Sequence, residues 1–260
     1  MSYRILVGVV MLSLAPWIDA HAQKKTGVDL ELAFVVDASG SIDDEETRLQ
    51  RQGYADALVH PRVLGAISSG FLRSIAVSYI EFAGPGCTRI SVPWSRIDGV
   101  EAAKVFGAAI LAMDRMFCPG GNAITEAVIV ATDALQTNSF LGTRRVIDVS
   151  GDGPNTTFEP VELARNNAVA LGITINGLVI ERPSMPDLDD YYRQAITGGP
   201  GSFVIKAENR KVFAQAILKK LVLEIAGRSP GDNKTADRSD YPPAPVRSVF
   251  STNSGSGRLR

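Results

Sequence analysis

Three short stretches gather oxygen side chains that could do chemistry. In "VVDASGS" (35–41) an apolar run ends in Asp37, Ser39 and Ser41, alternating around one bend. Gly40 permits the tight backbone path there. Either the bend caps the helix that follows, or it holds a cation. "GGNAIT" (120–125) offers Asn122 and, three residues on, Thr125, and "SGDG" (150–153) offers Asp152. The set contains no cysteine and no histidine, so an ion held by Asp37, Ser39, Ser41, Asn122 and Asp152 would be hard: Mg²⁺, or Mn²⁺ or Ca²⁺, rather than zinc. Two carboxylates neutralise a divalent ion, and the neutral oxygens fill further positions. An open position could then take water or a carboxylate from a partner.

The elements that must position these groups follow from periodicity. "DLELAF" (29–34) alternates as a strand and runs into a fully apolar "FVV", as expected of a strand buried on both faces. A helix is predicted over 43–59, with Ser41 as N-cap and Asp44 three residues on. A shorter helix opens at Pro61 and ends near Gly70. Strands are predicted over 74–84 and 89–97, the second an edge strand because Pro93 lacks a ladder donor. Helices follow over 100–113 and 123–136, then a strand over 144–150 and a helix between Pro160 and Gly172. A strand over 173–181, a helix over 187–196, a strand over 202–207 and an amphipathic helix over 209–227 complete the pattern. Strands alternating with helices imply an α/β fold, a doubly wound, mostly parallel open sheet with one antiparallel edge strand. In such sheets functional loops gather beyond the carboxyl ends of the strands, which brings Asp37 and Asp152 to one crevice.

Composition sets the compartment and narrows the partners. The 260 residues carry a net charge of −1 and are 45% hydrophobic. That supports one domain of about 200 residues and offers no basic run to bind nucleic acid. A short basic start, a broken apolar segment and "AHA" at 20–22 read as a signal peptide over 1–22, cut before Gln23. The mature chain is then expected to be periplasmic or secreted, without a membrane span. A linker over 23–27 leads into the domain over 28–227, and 228–260, rich in Pro, Ser, Gly and charge, is expected to be a disordered tail. In an oxidising compartment the two loop cysteines, Cys87 and Cys118, are expected to form a disulfide at the carboxyl-end rim of the sheet.

"DASGS", "GGNAITEAV" and "SGDG" resemble, in order and spacing, the metal-ion-dependent adhesion site (MIDAS) of von Willebrand factor A-type domains. "YIEFAG", "VPWSRIDG", "RRVIDVSGDGPN" and "YYRQAITGGPGSFV" look like a bacterial branch of exported proteins with this domain. The resemblance covers 28–227 and implies that Asp37, Ser39, Ser41 and Asp152 hold a divalent ion. Asn122 stands where that family usually has threonine; its carbonyl oxygen reaches further than a threonine hydroxyl and could weaken or shift the ion, or leave it absent. Thr125 could compensate, or serve only the first turn of its helix.

Other polar residues have simpler expected roles. Asp43 and Asp44 are expected to be solvated acids at a helix N-terminus. Asp148 and Glu81 interrupt apolar strands, so each is expected to pair with an arginine such as Arg144 or Arg145, or else to support the site. Trp94 is expected over the sheet edge, and Tyr191 and Tyr192 as core and cover. The leading function is an exported, metal-dependent protein-binding domain, for adhesion or scaffolding, that recognises an acidic partner group through the ion. The competing readings are a metal-dependent hydrolase and a structural domain with a degenerate metal site. Against an enzyme, the mature chain keeps only His60, away from the crevice, and the bend lacks the second acid of a phosphatase DxD pair.

Overall fold

A computed structural model describes residues 24–230 except 41, 117, 119 and 209–211. The expected signal peptide and nearly all of the expected tail lie outside the described residues. Six strands form one sheet: β1 (Thr26–Asp37), β2 (Ile75–Phe82), β3 (Thr88–Ile97), β4 (Phe140–Gly151), β5 (Thr174–Ile180) and β6 (Val204–Ala207). Their order is β3-β2-β1-β4-β5-β6, with only the β2–β3 pair antiparallel. β1 starts two residues before the expected domain boundary because Thr26 and Gly27 already pair with Phe140 and Leu141 of β4. β3 takes the edge, where Pro93 breaks no ladder needed on its far side.

The alternation of β1 sorts the helices onto two faces. Leu30, Leu32, Phe34 and Val36 face α1 (Asp44–Val59), α2 (Pro61–Ser68), α3 (Val100–Leu111) and α7 (Phe213–Ala226). Ala33 and Val35 face α4 (Ile124–Thr137), α5 (Val161–Ala170) and α6 (Leu188–Tyr191), which continues as a π-helical turn over Tyr192–Ile196. On the first face Tyr54 of α1 packs on Phe34 and Tyr79, ring centroids 5.0 and 5.4 Å away. The N-cap of α1 is Asp43, not Ser41: Asp43 accepts from the Glu46 N–H and the Glu46 carboxylate accepts from the Asp43 N–H. Several candidate caps crowd "SIDDEE", and the reciprocal box at Asp43 and Glu46 satisfies two donors at once. No helix among the described residues is long and apolar enough to cross a membrane.

Two buried acids interrupt the first face, and each is neutralised from a helix. Glu81 of β2 pairs with Arg51 of α1 (2.7 Å) and Arg89 of β3 (2.9 Å). Both arginines also donate to the Asp114 carbonyl, so Glu81 fixes the α3–α4 loop. Asp148 of β4 pairs with neither Arg144 nor Arg145. Its partner is Lys220 of α7, which also reaches Glu224 at 2.6 Å, all three side chains being buried. Arg144 instead donates to the carbonyls of Glu224 and Ile225, and Arg145 to that of Leu171, both at helix ends.

One ammonium therefore faces two carboxylates. Burial and repulsion from Asp148 push Glu224 up to about 7, against the pull of Lys220 and an Asn176 hydrogen bond, and burial also raises Asp148. Folding thus takes up protons at this cluster. The resulting stability is fully present below the ordinary glutamate value of 4.5 and is lost as pH rises through about 7. Glu224→Gln mimics the protonated form. Its unfolding free energy, followed by urea titration across that window, should decline less with pH than the wild type's; parallel curves would show that Glu224 does not carry the proton.

Candidate functional site

The sheet order reverses between β1 and β4, and two carboxylates meet at that switch point. Val36 pairs with Ser150 across these strands, so Asp37 ends β1 level with Gly151, one residue before Asp152. Both acids are buried, Asp152 completely. The Ser39 N–H donates to Asp37 Oδ1 at 2.8 Å, while Asp37 Oδ2 has no hydrogen-bond donor among the described residues. Burial pushes the Asp37 carboxyl up to about 6; Ser39 opposes this by hydrogen bonding, and the charge of Asp152 adds to it. Gln50 of α1 ties down the Asp37 carbonyl at 3.2 Å.

Asn122 enters from the α3–α4 loop. Its amide lies so close to Gly153 that a Cβ there would collide with it, which places the side chain against the Asp152 turn. Its backbone is clasped by Thr156: the Asn122 N–H donates to Thr156 Oγ1 (2.8 Å), and the Thr156 N–H donates to the Asn122 carbonyl (2.9 Å). Cys87 and Cys118 are disulfide-bonded, Cα atoms 6.3 Å apart, between the turn after β2 and this loop. The same loop docks on that turn through the Ala123 N–H to the Ala83 carbonyl (2.7 Å). Gly120 sits there at φ 112°, where a side chain would be strained and its Cβ would meet Gly84 at 3.1 Å.

Asp37, Ser39, Asn122 and Asp152 are thus brought to one crevice, and Ser41 lies outside the described residues. The Thr125 hydroxyl is directed elsewhere, donating to the Glu159 carbonyl at 2.9 Å, and so holds the β4–α5 loop. Among the described residues no cluster of three or more His, Cys, Asp and Glu gathers to hold a metal. This crevice instead combines two acids with a serine and an amide side chain, and an orphaned buried carboxylate oxygen in that setting fits a hard divalent cation.

Two residues outside the motif stretches also reach the site. Arg182, just beyond β5, places Nη1 3.5 Å from Asp152 Oδ2 while remaining about a third exposed (35%). The buried Tyr192, expected as core or cover, turns its hydroxyl to the Gly153 carbonyl (3.4 Å). The carboxyl-end position of "ERP" could have pointed to Arg182; nothing in sequence separates Tyr192 from a packing tyrosine. Trp94 packs partly buried against the α4 side of the sheet, consistent with its expected edge role.

This arrangement is a von Willebrand factor A-type fold. The chain matches, over residues 27–229, the family described as "Protein of unknown function (DUF1194)", and it belongs to that family. Its fold is similar to that of the pilus adhesin SpaC from Lactobacillus rhamnosus GG (TM-score 0.57, 15% identity, 78% of this chain and 31% of that one). It is also similar to proximal thread matrix protein 1 of the mussel byssus, solved with a zinc-occupied MIDAS motif (0.55, 15%, 78% and 49%). A third is a von Willebrand factor type A protein from Catenulispora acidiphila (0.51, 14%, 76% and 43%). The chain thus spans from about a third to half of these solved chains. No curated protein matches its sequence.

Gly151 leaves no room for a side chain between the two acids and Tyr192. A Cβ at this position would lie 2.6 Å from the Tyr192 hydroxyl and 3.2 Å from Asp37 Oδ2. Gly151→Ala should therefore destabilise the domain by about 1–3 kcal/mol, read as a lowered urea midpoint. An unchanged midpoint would mean that Tyr192 is free to move away.

Proposed function

We propose that the mature chain is an exported protein-binding domain, acting in adhesion or as a scaffold, that takes an acidic group of a partner protein through a bound divalent ion. Asp37, Ser39, Ser41, Asn122 and Asp152 would hold the ion, Mg²⁺ or else Mn²⁺ or Ca²⁺; Thr125 is left to the loop. When bound, such an ion supplies a coordination position for a partner's carboxylate oxygen. The observation that carries the reading is the burial of Asp37 beside Asp152, with one Asp37 oxygen lacking a donor. Two like charges side by side in a low-dielectric crevice call for a cation. The adhesin and byssal neighbours support a binding role through fold alone. Export rests on the leader-like start of the sequence.

Isothermal titration of the mature protein with Mg²⁺ and Mn²⁺ tests the reading. Asp37→Ala should abolish binding and leave the fold intact, since the group sits at a strand end; equal titration of variant and wild type would reject the site. Asn122→Thr should strengthen binding, more for Mg²⁺ than for Ca²⁺, because Mg²⁺ tolerates misplaced ligands least.

Arg182 supplies a separate prediction. As a tethered cation on Asp152 it competes with the ion, so Arg182→Gln should tighten Mg²⁺ binding about two- to fivefold, in keeping with a partly exposed pair. Weaker binding in this variant would mean that Arg182 supports the site instead.

A further inference from the structure

We infer that the groove beside the crevice, under Phe158, is the second anchor point for the partner, and that it takes a bulky apolar residue followed by a lysine or arginine. The inference rests on the proposed function and specifies what the partner carries besides its acid.

The groove, about 380 Å³, lies between α4 and the β4–α5 loop. Its apolar wall is Pro85, Ile129 and Phe158, and its acidic groups are Glu126 and Glu159. Phe158 is fully exposed and Ile129 is exposed as well, an arrangement that leaves apolar area for a partner to cover. The groove also includes Thr156, whose hydroxyl and N–H clasp Asn122. A segment seated in it therefore lies against the same loop that starts at Asp152. Glu126 spends one oxygen on the Gly86 N–H (2.8 Å), and Glu159 is an exposed carboxylate.

Charge selects which residue of the partner belongs here. Among the described residues no basic side chain lines this groove, so its two acids present a negative edge. On the α1 flank the charges are mixed: Arg48, Arg51 and Arg115 line a second groove with Asp44, and Glu45 and Glu46 stand beside it in the first turn of α1. Arg115 pairs with Asp44 and Arg51 with Glu81, and the exposed Arg48 is offset by the exposed Glu45. A basic residue of the partner is favoured on the Phe158 side by Glu126 and Glu159. The Phe158 groove thus orients a bound segment, its acid at Asp37 and Asp152 and its apolar-basic pair toward Phe158.

The test uses short fluorescent synthetic peptides, each with one aspartate followed at varied spacing by Leu-Lys, Leu-Glu or Ser-Lys. Affinity is read by anisotropy in Mg²⁺ and in chelator. Leu-Lys peptides should bind tightest, and Phe158→Ser should weaken them about five- to tenfold, the loss expected of one aromatic anchor. The double variant Glu126→Gln/Glu159→Gln should equalise Leu-Lys and Leu-Glu; glutamine keeps the acceptor for Gly86. Asp37→Ala should remove the Mg²⁺ dependence and leave the Leu-Lys preference. If that preference persists in the wild type without any Mg²⁺ effect, the groove stands and the ion reading falls. If Mg²⁺-dependent binding ignores both the Leu-Lys pair and Phe158, the ion reading stands and the groove is overturned. Absence of any Leu-Lys preference overturns it as well. So does a Phe158-dependent dimer in sedimentation, which would assign the groove to a second copy.

Discussion

The structure is organised around one electrostatic constraint: Asp37 and Asp152 end neighbouring parallel strands and are buried together. Parallel register fixes this, because Val36 stands opposite Ser150 and the strands leave the sheet within a residue of each other. The surroundings lower the cost without removing it. Ser39 donates a backbone N–H, Arg182 approaches from the exposed side, and Asp37 is still pushed up to about 6. A crevice built from oxygen acceptors, with one acceptor left over, is a poor resting place for two anions and a good one for a cation.

The other buried acids show how differently this chain handles charge when structure alone is at stake. Glu81 receives two arginines and a Ser91 hydroxyl, and those arginines pin the loop that leads to Cys118 and Asn122. Asp148 and Glu224 share Lys220, and burial with repulsion from Asp148 pushes Glu224 up to about 7. Both clusters hold helices or loops against the sheet. At the Asp37–Asp152 pair the compensating charge is a partly exposed guanidinium at 3.5 Å, a partner that can be exchanged.

Much of this was legible in the sequence, and the gaps have physical reasons. The alternation and apolar run before Asp37, and the strand ending in "SGDG", placed both acids at carboxyl ends, so their meeting followed from the parallel fold. Strand parity marked Asp148 and Glu81 as buried. It could not name their partners, because Lys220 lies on an amphipathic helix where a lysine reads as solvated, and Arg51 sits on α1 among many charges. The N-cap falls on Asp43 rather than Ser41 because a serine and two acids compete within four residues, and only the reciprocal bonds of Asp43 and Glu46 decide between them. Arg182 and Tyr192 reach the crevice from beyond β5, a part of the chain carrying none of the motif residues.

The central claim is that the buried carboxylate pair is completed by a divalent cation, and linkage tests it most directly. A ligand that binds only the native state raises the unfolding temperature in step with the logarithm of its concentration once it exceeds the dissociation constant. The mature protein, stripped with chelator and heated at neutral pH over a series of Mg²⁺ concentrations at constant ionic strength, should show that rise. A transition temperature that stays at the chelator value with Mg²⁺, Mn²⁺ and Ca²⁺ alike would contradict the account.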